Sequence, residues 1–547
     1  MEAVKLLGLL PLKDDGPTMG DPTIPDLILA NANIITLDPV RPQAEVVAIQ
    51  SGRIRGVGQN WELEQFKCAT TRNIDCRGKT IVPGFIDPHL HLASFAESLV
   101  TVNVGPDNHV RSISDIQRAL RQACQNLPPG TWMRCGGYNE FYLEEKRHPT
   151  RWDLDLATSA HPIKLTHRTG RAHVLNALAL KLTGISRETP DPDGALIERD
   201  ISTGEPTGLL YGMGDFLSKT IPPLDSRQLE QGIRLANHEL LSWGITSIQD
   251  ASSRNDMERW EMLRRWKAQG YLEPRVCMML GVKGFEEYQR GNFPVKGGDN
   301  DLRTGGVKII LDETMGRLNP SQPELNELVF AIHQAGFRAV IHALEQRPIE
   351  AACTAIESAL QKSPRSDHRH RIEHCSVCPP RLSKRLASLG VMVVTQPSFI
   401  YSSGDRYLET VPRSQLRHLY PIATLMENGV HVAGSSDCPI GPANPMIGIY
   451  SAVSRRSETG RAVLVKEGIT PLDALRMYTD YAARTNAEEK SKGSISPGKL
   501  ADVAVLSGDP TRLPPDEIKN IQVEMTVLNG EVVWDKSGLT NDSSFKV

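Results

Sequence analysis

Histidine and aspartate side chains that could bind a metal recur at defined places along this sequence. His89 and His91 stand one residue apart in the run PGFIDPHLHL, residues 83–92. On a β-strand, residues i and i+2 point to the same face, so both imidazoles can converge on one point. This geometry is typical of metal ligands, although a loop could carry the same pair by coincidence.

Further candidate ligands lie at the ends of other predicted strands. Lys308 lies in GGVKIILDE, His342 in RAVIHALE, His374 in HRIEHC and Asp437 in VHVAGSSDCP. Alone, a strand-end histidine is more often a hydrogen-bonded core residue, and an aspartate after Gly-Ser-Ser is usually a turn residue or a cap. Together, four histidines and one aspartate at strand ends favour zinc or a similar divalent ion.

Lys308 is the unusual member of this set. Beside two dications an ammonium group would be repelled and would lose its proton. A buried neutral lysine can react with carbon dioxide to give a carbamate, an anion whose two oxygens can bridge two metals. We favour this interpretation over a lysine that reaches out to an exposed carboxylate.

The elements that must position these residues alternate between strands and helices. Eight buried strands are predicted, at 81–88, 246–251, 275–280, 307–312, 339–342, 371–374, 391–396 and 432–437. Helical patterns lie between them, for example at 226–244, 322–336 and 382–390. This count predicts an α/β fold with a TIM-like (β/α)8 barrel, in which the chemistry lies at the carboxyl ends of the strands.

The remaining segments predict additions to the barrel, which with its insertion is assigned to residues 83–489. The gap after the first strand is too long for one crossover helix, so an insertion is predicted at about residues 105–220, with a surplus β-like run at 162–167. Short β-type runs at both ends predict a composite β-sandwich domain from 25–82 and 490–547, since two independent appendages would each be marginal. Residues 1–24 are predicted to be a flexible N-terminal extension rather than a secretion signal.

Composition excludes several classes of protein. A formal net charge of −3 over 547 residues does not favour nucleic acid as a partner. The sequence has no apolar run of about 18 residues, so no membrane association is expected. The nine cysteines are scattered, which favours the reducing cytoplasm. We expect a small-molecule substrate. The sequence leaves open whether two copies of the chain form a homodimer.

The motifs resemble the amidohydrolase superfamily, and specifically its amidohydrolase 3 branch of N-substituted formamide deformylase-like metal-dependent hydrolases. They are IVPGFIDPHLHL, GVKIILDE, AVIHAL, RIEHC, GSSDCPIGPANPM, ITPLDALRMYTDYAA and GSISPGKLADVAVLSGDP, and the similarity covers nearly all of residues 26–535. The resemblance implies the barrel, the composite β-domain and two Zn²⁺ ions. It implies the following ligands: His89, His91 and Asp437 for one ion, His342 and His374 for the other, and carboxylated Lys308 as the bridge.

The sequence departs from this branch where the substrate is expected to bind. Residues 345–348 read Glu-Gln-Arg-Pro where the branch usually has Gly-Asp-Arg-Ala, and 312–313 read Asp-Glu instead of Asp-Gly. Residues 170–171 read Gly-Arg instead of Gly-His, with His173 two residues on. Because of these changes, the substrate typical of the branch cannot be assumed for this chain.

Seven residues are candidate substrate contacts: Tyr138, Asn139, Arg171, His173, Asp312, Glu313 and Glu345. Tyr138 and Asn139 follow a Gly-Gly turn, and packing is the competing role for both. Arg171 and His173 could equally lie on the surface of the insertion. The two glutamates follow ligand-bearing strand segments, and solvated loop carboxylates are the alternative for them.

The predicted function is hydrolysis of a non-peptide C–N bond in an amide, an N-formyl or N-acyl amine, or a cyclic amide. A metal-activated hydroxide would attack the carbonyl, with Asp437 as general acid and base. Ester or lactone opening uses the same attack. The alternatives are a mononuclear deaminase or aminoacylase, which would not need a bridging Lys308, and a metal-free scaffold protein on the same fold.

Overall fold

A computed structural model describes residues 24–540, except 126, 193, 292–296 and 315. The predicted extension at 1–24 therefore lies outside the described residues apart from Ile24. The last seven positions of the predicted β-domain, 541–547, also lie outside them. Among the described residues, no helix combines the length and the apolarity needed to cross a membrane.

Eight parallel strands, in chain order, form the central sheet, and this confirms the predicted barrel. The strands are β1 (Phe85–Leu90), β2 (Ile245–Asp250), β3 (Arg275–Leu280), β4 (Leu302–Ile310), β5 (Ala339–Ala343), β6 (Arg371–His374), β7 (Met392–Thr395) and β8 (Val432–Gly434). β3, β5, β7 and β8 are largely apolar, as expected for parallel strands that are buried on both faces, whereas β1, β2 and β6 also carry buried polar side chains such as Asp87, Gln249 and Glu373.

Backbone hydrogen bonds between β1 and the segment after β8 bring the two edges of the sheet together. The amide of Asp437 donates to the carbonyl of His89 at 2.8 Å, and the amide of His91 donates to that of Cys438 at 2.9 Å. At the other end of β1, the amide of Ile86 donates to the carbonyl of Tyr478 at 2.8 Å. The barrel is therefore nearly closed.

Several strand boundaries differ from those predicted, for example β4, predicted at 307–312 and observed at Leu302–Ile310, and two of the differences concern the proposed ligands His89 and Asp437. β1 continues to Leu90, so His89 lies within the strand instead of beyond its end. β8 ends at Gly434, so Asp437 lies in the following loop, where its φ of 56° interrupts any ladder. A left-handed residue cannot continue the extended backbone of a strand.

Helices cover the outside of the barrel. They are Leu92–Leu99, Ser226–Ser242, Met257–Ala268, Val282–Gln289, Gln322–Gln334, Gln346–Lys362, Pro380–Leu389, Ser398–Thr410, Arg413–Leu416, Ile422–Glu427, Pro445–Ser454, Pro471–Met477 and Asp480–Arg484. The helix Ser226–Ser242 begins where the Asp225 side chain accepts from the amide of Gln228, and it buries Ile233, Ala236 and Leu240. This spacing gives one apolar face toward the strands.

The segment between β1 and β2 folds around its own six-stranded sheet. Its strands are Val102–Asn103, Met133–Tyr138, Ile163–His167, Ala172–Leu175, Leu196–Arg199 and Pro206–Tyr211, with helices Ile113–Cys124, Arg151–Asp155, Ala177–Thr183 and Gly214–Thr220. The β-like run predicted at 162–167 pairs inside this sheet and not in the barrel.

Both ends of the chain contribute strands to a second six-stranded sheet. Its strands are Asn33–Ile35, Gln43–Ala44, Thr80–Pro83, Val503–Leu506, Val523–Leu528 and Glu531–Asp535. Val82 lies opposite Ala504, so the two ends pair directly. A four-stranded sheet of Leu27–Ala30, Val46–Gln50, Arg53–Gly58 and Arg72–Asp75 shares an apolar core with it, through residues such as Leu29 and Val503.

A buried ion pair ties this second sheet to the barrel. Arg275, the first residue of β3, places Nε 2.7 Å and Nη2 2.9 Å from the two carboxylate oxygens of Asp502. The same carboxylate accepts from the backbone amide of Asn529 at 2.9 Å. Both charged side chains are buried, so the pair fixes where the terminal strands meet β3.

Candidate metal centre

Three predicted ligands converge where β1 meets the loop after β8. Oδ1 of Asp437 lies 3.0 Å from Nε2 of His91 and 3.4 Å from Nε2 of His89. One ligand atom from each of the three residues lies within 4.8 Å of the others. Both rings thus face one carboxylate, as predicted, although His91 lies one residue past the end of β1, directly before the helix Leu92–Leu99.

Lys308 extends from β4 into the same space. Its side chain is buried, and Nζ lies 3.4 Å from Nε2 of His89. Burial lowers the pKa of Lys308 to about 8, although the carboxylates of Glu373 and Asp437 oppose this shift. A sizeable fraction of the amine is therefore neutral near physiological pH, as formation of a carbamate requires.

His342 and His374 lie beside this group, at the ends of β5 and β6. Their ring centroids are 4.4 Å apart, and that of His374 is 5.0 Å from that of His89. Burial lowers the pKa of His342 well below its usual range, and the neighbouring His374 and Lys308 act in the same direction. The structure thus brings all six predicted ligands to one end of the barrel, and burial favours the neutral imidazole of His342.

Each of three histidines has its Nδ1 atom engaged by a neighbouring side chain. Nδ1 of His89 contacts the carboxylate of Glu373, and Nδ1 of His374 lies 2.8 Å from Oε1 of Gln396. Nδ1 of His91 lies 3.3 Å from Oγ of Ser252. This leaves Nε2 of each ring for a ligand, which is the arrangement that histidine ligands adopt around metals. The donor set therefore fits a divalent ion.

Asp437 is held as a carboxylate. Burial favours its neutral form, but the hydrogen bond with His91 and the charges of His89 and His374 outweigh burial and hold the pKa of Asp437 well below its usual range. Its backbone is fixed by the neighbouring Ser436, whose hydroxyl and amide both contact the carboxyl of Asp87. An ionised, immobile carboxylate at this point can accept a proton.

The predicted substrate contacts Arg171 and Asp312 reach His342, one of the predicted ligands. Nη2 of Arg171 lies 2.9 Å from Oδ1 of Asp312 and 3.3 Å from Nε2 of His342. The Asp312 oxygen is 3.6 Å from the same imidazole nitrogen. Arg171 belongs to the insertion, so the insertion covers the mouth of the barrel beside β4 and β5.

Glu313 and Glu345 lie farther out at the same end of the barrel. They line a cavity of about 530 Å³ between the loops that follow β4, β5 and β6, together with Gln346, Arg347, Val377, Pro379, Ser414, Gln415, Arg417 and His418. Oε1 of Glu313 lies 2.6 Å from Nη1 of Arg347. The structure places these two glutamates in a cavity wall and not against the predicted metal ligands.

Tyr138, Asn139 and His173 are buried inside the insertion. The hydroxyl of Tyr138 lies 2.9 Å from Nδ1 of His148, and Oδ1 of Asn139 accepts from the amide of Phe141 at 3.2 Å. Nδ1 of His173 lies 3.2 Å from the hydroxyl of Thr166. These contacts lie within the insertion, and a role of the three residues in substrate binding stays a prediction.

Sequence reasoning missed the residues that hold the ligands in place. Arg371 and Glu373 stand at i and i+2 of β6, and Nε of Arg371 lies 2.7 Å from Oε1 of Glu373. Two opposite charges on one face of a buried strand were a usable signal, because buried charges are normally paired. No comparable signal marked Gln396 or Ser252, whose contacts depend on neighbouring strands.

Several known proteins resemble this chain in sequence or in fold. The chain is 29% identical to N-substituted formamide deformylase of Arthrobacter pascens over 543 residues, which cover 94% of this chain and 99% of that protein. It is 29% identical to YtcJ of Bacillus subtilis over 528 residues, 90% of this chain and 97% of the other. The crystal structure of an uncharacterized metal-dependent hydrolase from Pyrococcus horikoshii has the same fold, with a TM-score of 0.72 and 22% identity, over 90% of this chain and 99% of that one.

The sequence model of one family also matches most of the chain. The match runs from residue 72 to residue 534 and so includes all eight barrel strands and the six predicted ligands. The six predicted metal ligands lie at one end of that barrel. The match establishes that this chain belongs to the amidohydrolase family.

Proposed function

We propose that this protein hydrolyses a non-peptide C–N bond in a small amide, an N-formyl or N-acyl amine, or a cyclic amide. The observation that carries the proposal is the position of Asp437, whose ionised carboxylate lies 3.0 Å from His91 and 3.4 Å from His89 at the mouth of the barrel. The resemblance to a formamide deformylase over nearly its whole length supports an amide as substrate.

The proposed metal ligands are His89, His91 and Asp437 for one ion and His342 and His374 for a second. A divalent ion at such a site lowers the pKa of a water ligand and polarises a carbonyl group. Asp437 accepts the proton of the attacking water and returns it to the leaving nitrogen. Glu373, Gln396 and Ser252 keep the imidazole rings oriented, so that no reorganisation is needed during the reaction.

Lys308 is the proposed bridge between the two ions. Its neutral Nζ attacks the carbon of carbon dioxide, an N–C bond forms, and one proton leaves, which gives a carbamate anion. The support for this step is burial of Lys308, its pKa of about 8, and its 3.4 Å approach to His89. As an unmodified ammonium, Lys308 would instead repel a dication.

A mononuclear deaminase or aminoacylase is the second candidate, and one observation favours it. Among the described residues, the compact group of potential ligands contains His89, His91 and Asp437 but neither His342 nor His374. One ion held by these three residues would need no bridging carbamate.

Metal analysis and substrate screening test the two candidates on the same preparation. We expect two divalent ions per chain, a mass increase of one carbon dioxide on the peptide containing Lys308, and hydrolysis of N-formyl or N-acyl amines that chelation abolishes and zinc restores. One ion per chain and an unmodified lysine would exclude the binuclear site and favour the second candidate. Activity that survives complete removal of metal would contradict both.

A further inference from the structure

The guanidinium of Arg171 is bound at once by a carboxylate and by an imidazole of the proposed metal centre. Its Nη2 atom lies 2.9 Å from Oδ1 of Asp312 and 3.3 Å from Nε2 of His342. Arginine carries only hydrogen-bond donors, so Nε2 of His342 must be the acceptor in the second contact. The lone pair that would bind a metal ion is therefore directed at Arg171.

The two partners of Arg171 are spaced as two ligands of one ion are. Oδ1 of Asp312 lies 3.6 Å from Nε2 of His342. In a tetrahedral zinc site, bonds of about 2.0–2.2 Å place neighbouring ligand atoms about 3.3–3.6 Å apart. A carboxylate oxygen and an imidazole nitrogen are also common zinc ligands. The pair thus suits a divalent cation as well as it suits a guanidinium group.

His374 offers a third donor for the same ion. Its ring centroid is 4.4 Å from that of His342. Among the described residues, Asp312, His342 and His374 do not form a group as compact as the three ligands where β1 meets the loop after β8. Hydrogen-bond partners of a guanidinium lie about 3 Å away, whereas metal ligands lie about 2 Å away. We therefore expect these side chains to close in when an ion replaces Arg171.

Contacts on the barrel side hold Asp312 in its position. Asp312 begins a short strand, Asp312–Thr314, that pairs with the strand Arg317–Asn319 in the loop after β4. Nη1 of Arg347, from the helix that follows β5, lies 2.6 Å from Oε1 of Glu313 and fixes the same strand. The position of Asp312 is therefore set by the barrel and does not depend on Arg171.

Arg171, in contrast, reaches the site from the insertion. Its backbone carbonyl accepts from the amide of Gly212 at 3.1 Å. Its side chain is 55% exposed, against 27% for that of Asp312 and 13% for that of His342. The guanidinium can thus turn into solvent, where water replaces its two hydrogen bonds, while both acceptors stay in place. A partly exposed ion pair of this kind is weak, so a dication can displace the arginine.

We propose that Asp312 is a ligand of the second ion, together with His342, and that Arg171 holds this cation position until the ion displaces it. The proposal rests on the two-ion form of the function proposed above and adds to it a ligand and a competitor. Arg171 and the ion cannot be bound together, since they use the same lone pair and repel each other. The second ion therefore binds in exchange for Arg171, with a lower affinity than its ligands alone would give.

Metal titration of the metal-free protein tests this exchange without relying on activity. Zinc titration in bicarbonate buffer, followed by calorimetry and by competition with a chelator, gives the number of ions and the affinity of each. Arg171→Met should raise the affinity for the second ion roughly 10-fold, because the competing donors are removed. The affinity for the first ion should stay unchanged. A second ion that binds measurably only in Arg171→Met would support the exchange most directly.

Asp312→Asn, made in the Arg171→Met protein, tests whether Asp312 is a ligand. The competitor is absent from both proteins, so only the loss of the carboxylate is measured. The double variant should bind the second ion at least about 10-fold more weakly than Arg171→Met, since loss of a ligand should cost no less than loss of a group that supports one. Equal affinities of the two variants would show that Asp312 only holds Arg171, which overturns its role as a ligand.

A control and the outcome for hydrolysis separate this proposal from the proposed function. Arg187→Met removes an exposed arginine of the same insertion and should leave both zinc affinities native. Equal affinities of the native protein and Arg171→Met for a second ion would overturn the exchange and leave the two-ion hydrolase in place. One ion in both proteins would overturn the exchange together with the binuclear site. Zinc binding as expected without any hydrolysis would support the exchange and contradict only the proposed reaction.

Discussion

The Glu373 carboxylate, on β6, contacts Nδ1 of His89, on β1, across the interior of the barrel. Nε of Arg371 holds the other oxygen of this carboxylate at 2.7 Å, and Arg371 is itself bound by Oε1 of Gln249 at 2.6 Å and by the carbonyl of Pro88 at 2.9 Å. A candidate metal ligand is thus backed by a chain of buried charged groups. Such partners fix the ring and increase its basicity toward a metal.

Glu373→Gln should weaken metal binding without removing any proposed ligand. The amide keeps the shape of the side chain but loses the charge that supports His89, so we expect metal affinity to fall about 10- to 100-fold. The free energy of unfolding of the metal-free protein should fall by about 3–5 kcal/mol, because Arg371 is left buried without its partner. Competition with a chelator and denaturant titration measure the two effects.

Glu489→Gln is the matched control for this experiment. It removes one partner of Arg369, a pair that lies away from the metal ligands and is partly exposed, with Oε1 of Glu489 2.8 Å from Nη2 of Arg369. Metal affinity should not change in this variant. Equal metal affinities of Glu373→Gln and the native protein would show that the carboxylate does not support His89.

Asp437→Asn should nearly abolish hydrolysis. The amide cannot accept the proton of the attacking water, and loss of a general acid–base group typically lowers kcat by about 10²- to 10⁴-fold. The metal content of the variant must be measured in parallel, since Asp437 is also a proposed ligand. Asp215→Asn, which alters an exposed pair with Arg254, should keep full activity. If Asp437→Asn retains its metal and the native kcat, Asp437 is not the general base.

The sequence was sufficient to predict the barrel and the strands that carry the proposed ligands, because both depend on local patterns. Buried parallel strands read as apolar runs, and the His89 and His91 spacing has a fixed meaning on any strand. The positions of Lys308, His342 and His374 follow from the rule that barrel chemistry lies at the carboxyl ends of strands.

The contacts around the site could not be predicted in the same way. Arg171 meets His342 and Asp312 only because the insertion folds over the mouth of the barrel, and no local pattern encodes that placement. Asp437 lies three residues beyond the end of β8 and has a left-handed backbone, and the residues Gly-Ser-Ser-Asp predict neither feature. Tertiary packing of distant segments decides such features.

His173 should make stability depend on pH in acid. Burial, with Lys164 and Arg254 nearby, lowers its pKa from 6.5 to about 3 in the folded protein. Between these values the unfolded state binds one more proton than the folded state, so the free energy of unfolding falls as the pH falls. The contribution is about 1.4 kcal/mol per pH unit.

His173→Gln tests this contribution, because glutamine can keep a hydrogen bond to Thr166 but cannot titrate. Denaturant titrations of the metal-free protein between pH 6.5 and the acid limit of folding should give a shallower slope for the variant. His238→Gln, which changes an exposed histidine on the helix Ser226–Ser242, should keep the native slope. Identical slopes for His173→Gln and the native protein would show that His173 is not a buried neutral base.

Asp502→Asn should destabilise the whole chain without touching the metal centre. Arg275 and Asp502 are both buried, and their two contacts of 2.7 and 2.9 Å join β3 to the sheet built from the chain ends. Removing one partner leaves a buried guanidinium uncompensated, so we expect a loss of about 3–5 kcal/mol in the free energy of unfolding.

Glu261→Gln, in an exposed pair with Arg264, is the control and should lower the free energy of unfolding by no more than about 0.5 kcal/mol. The double variant Arg275→Met with Asp502→Leu should recover much of the loss, because it removes both charges and keeps most of the volume. If Asp502→Asn costs no more than Glu261→Gln, the pair does not fix the terminal sheet to the barrel.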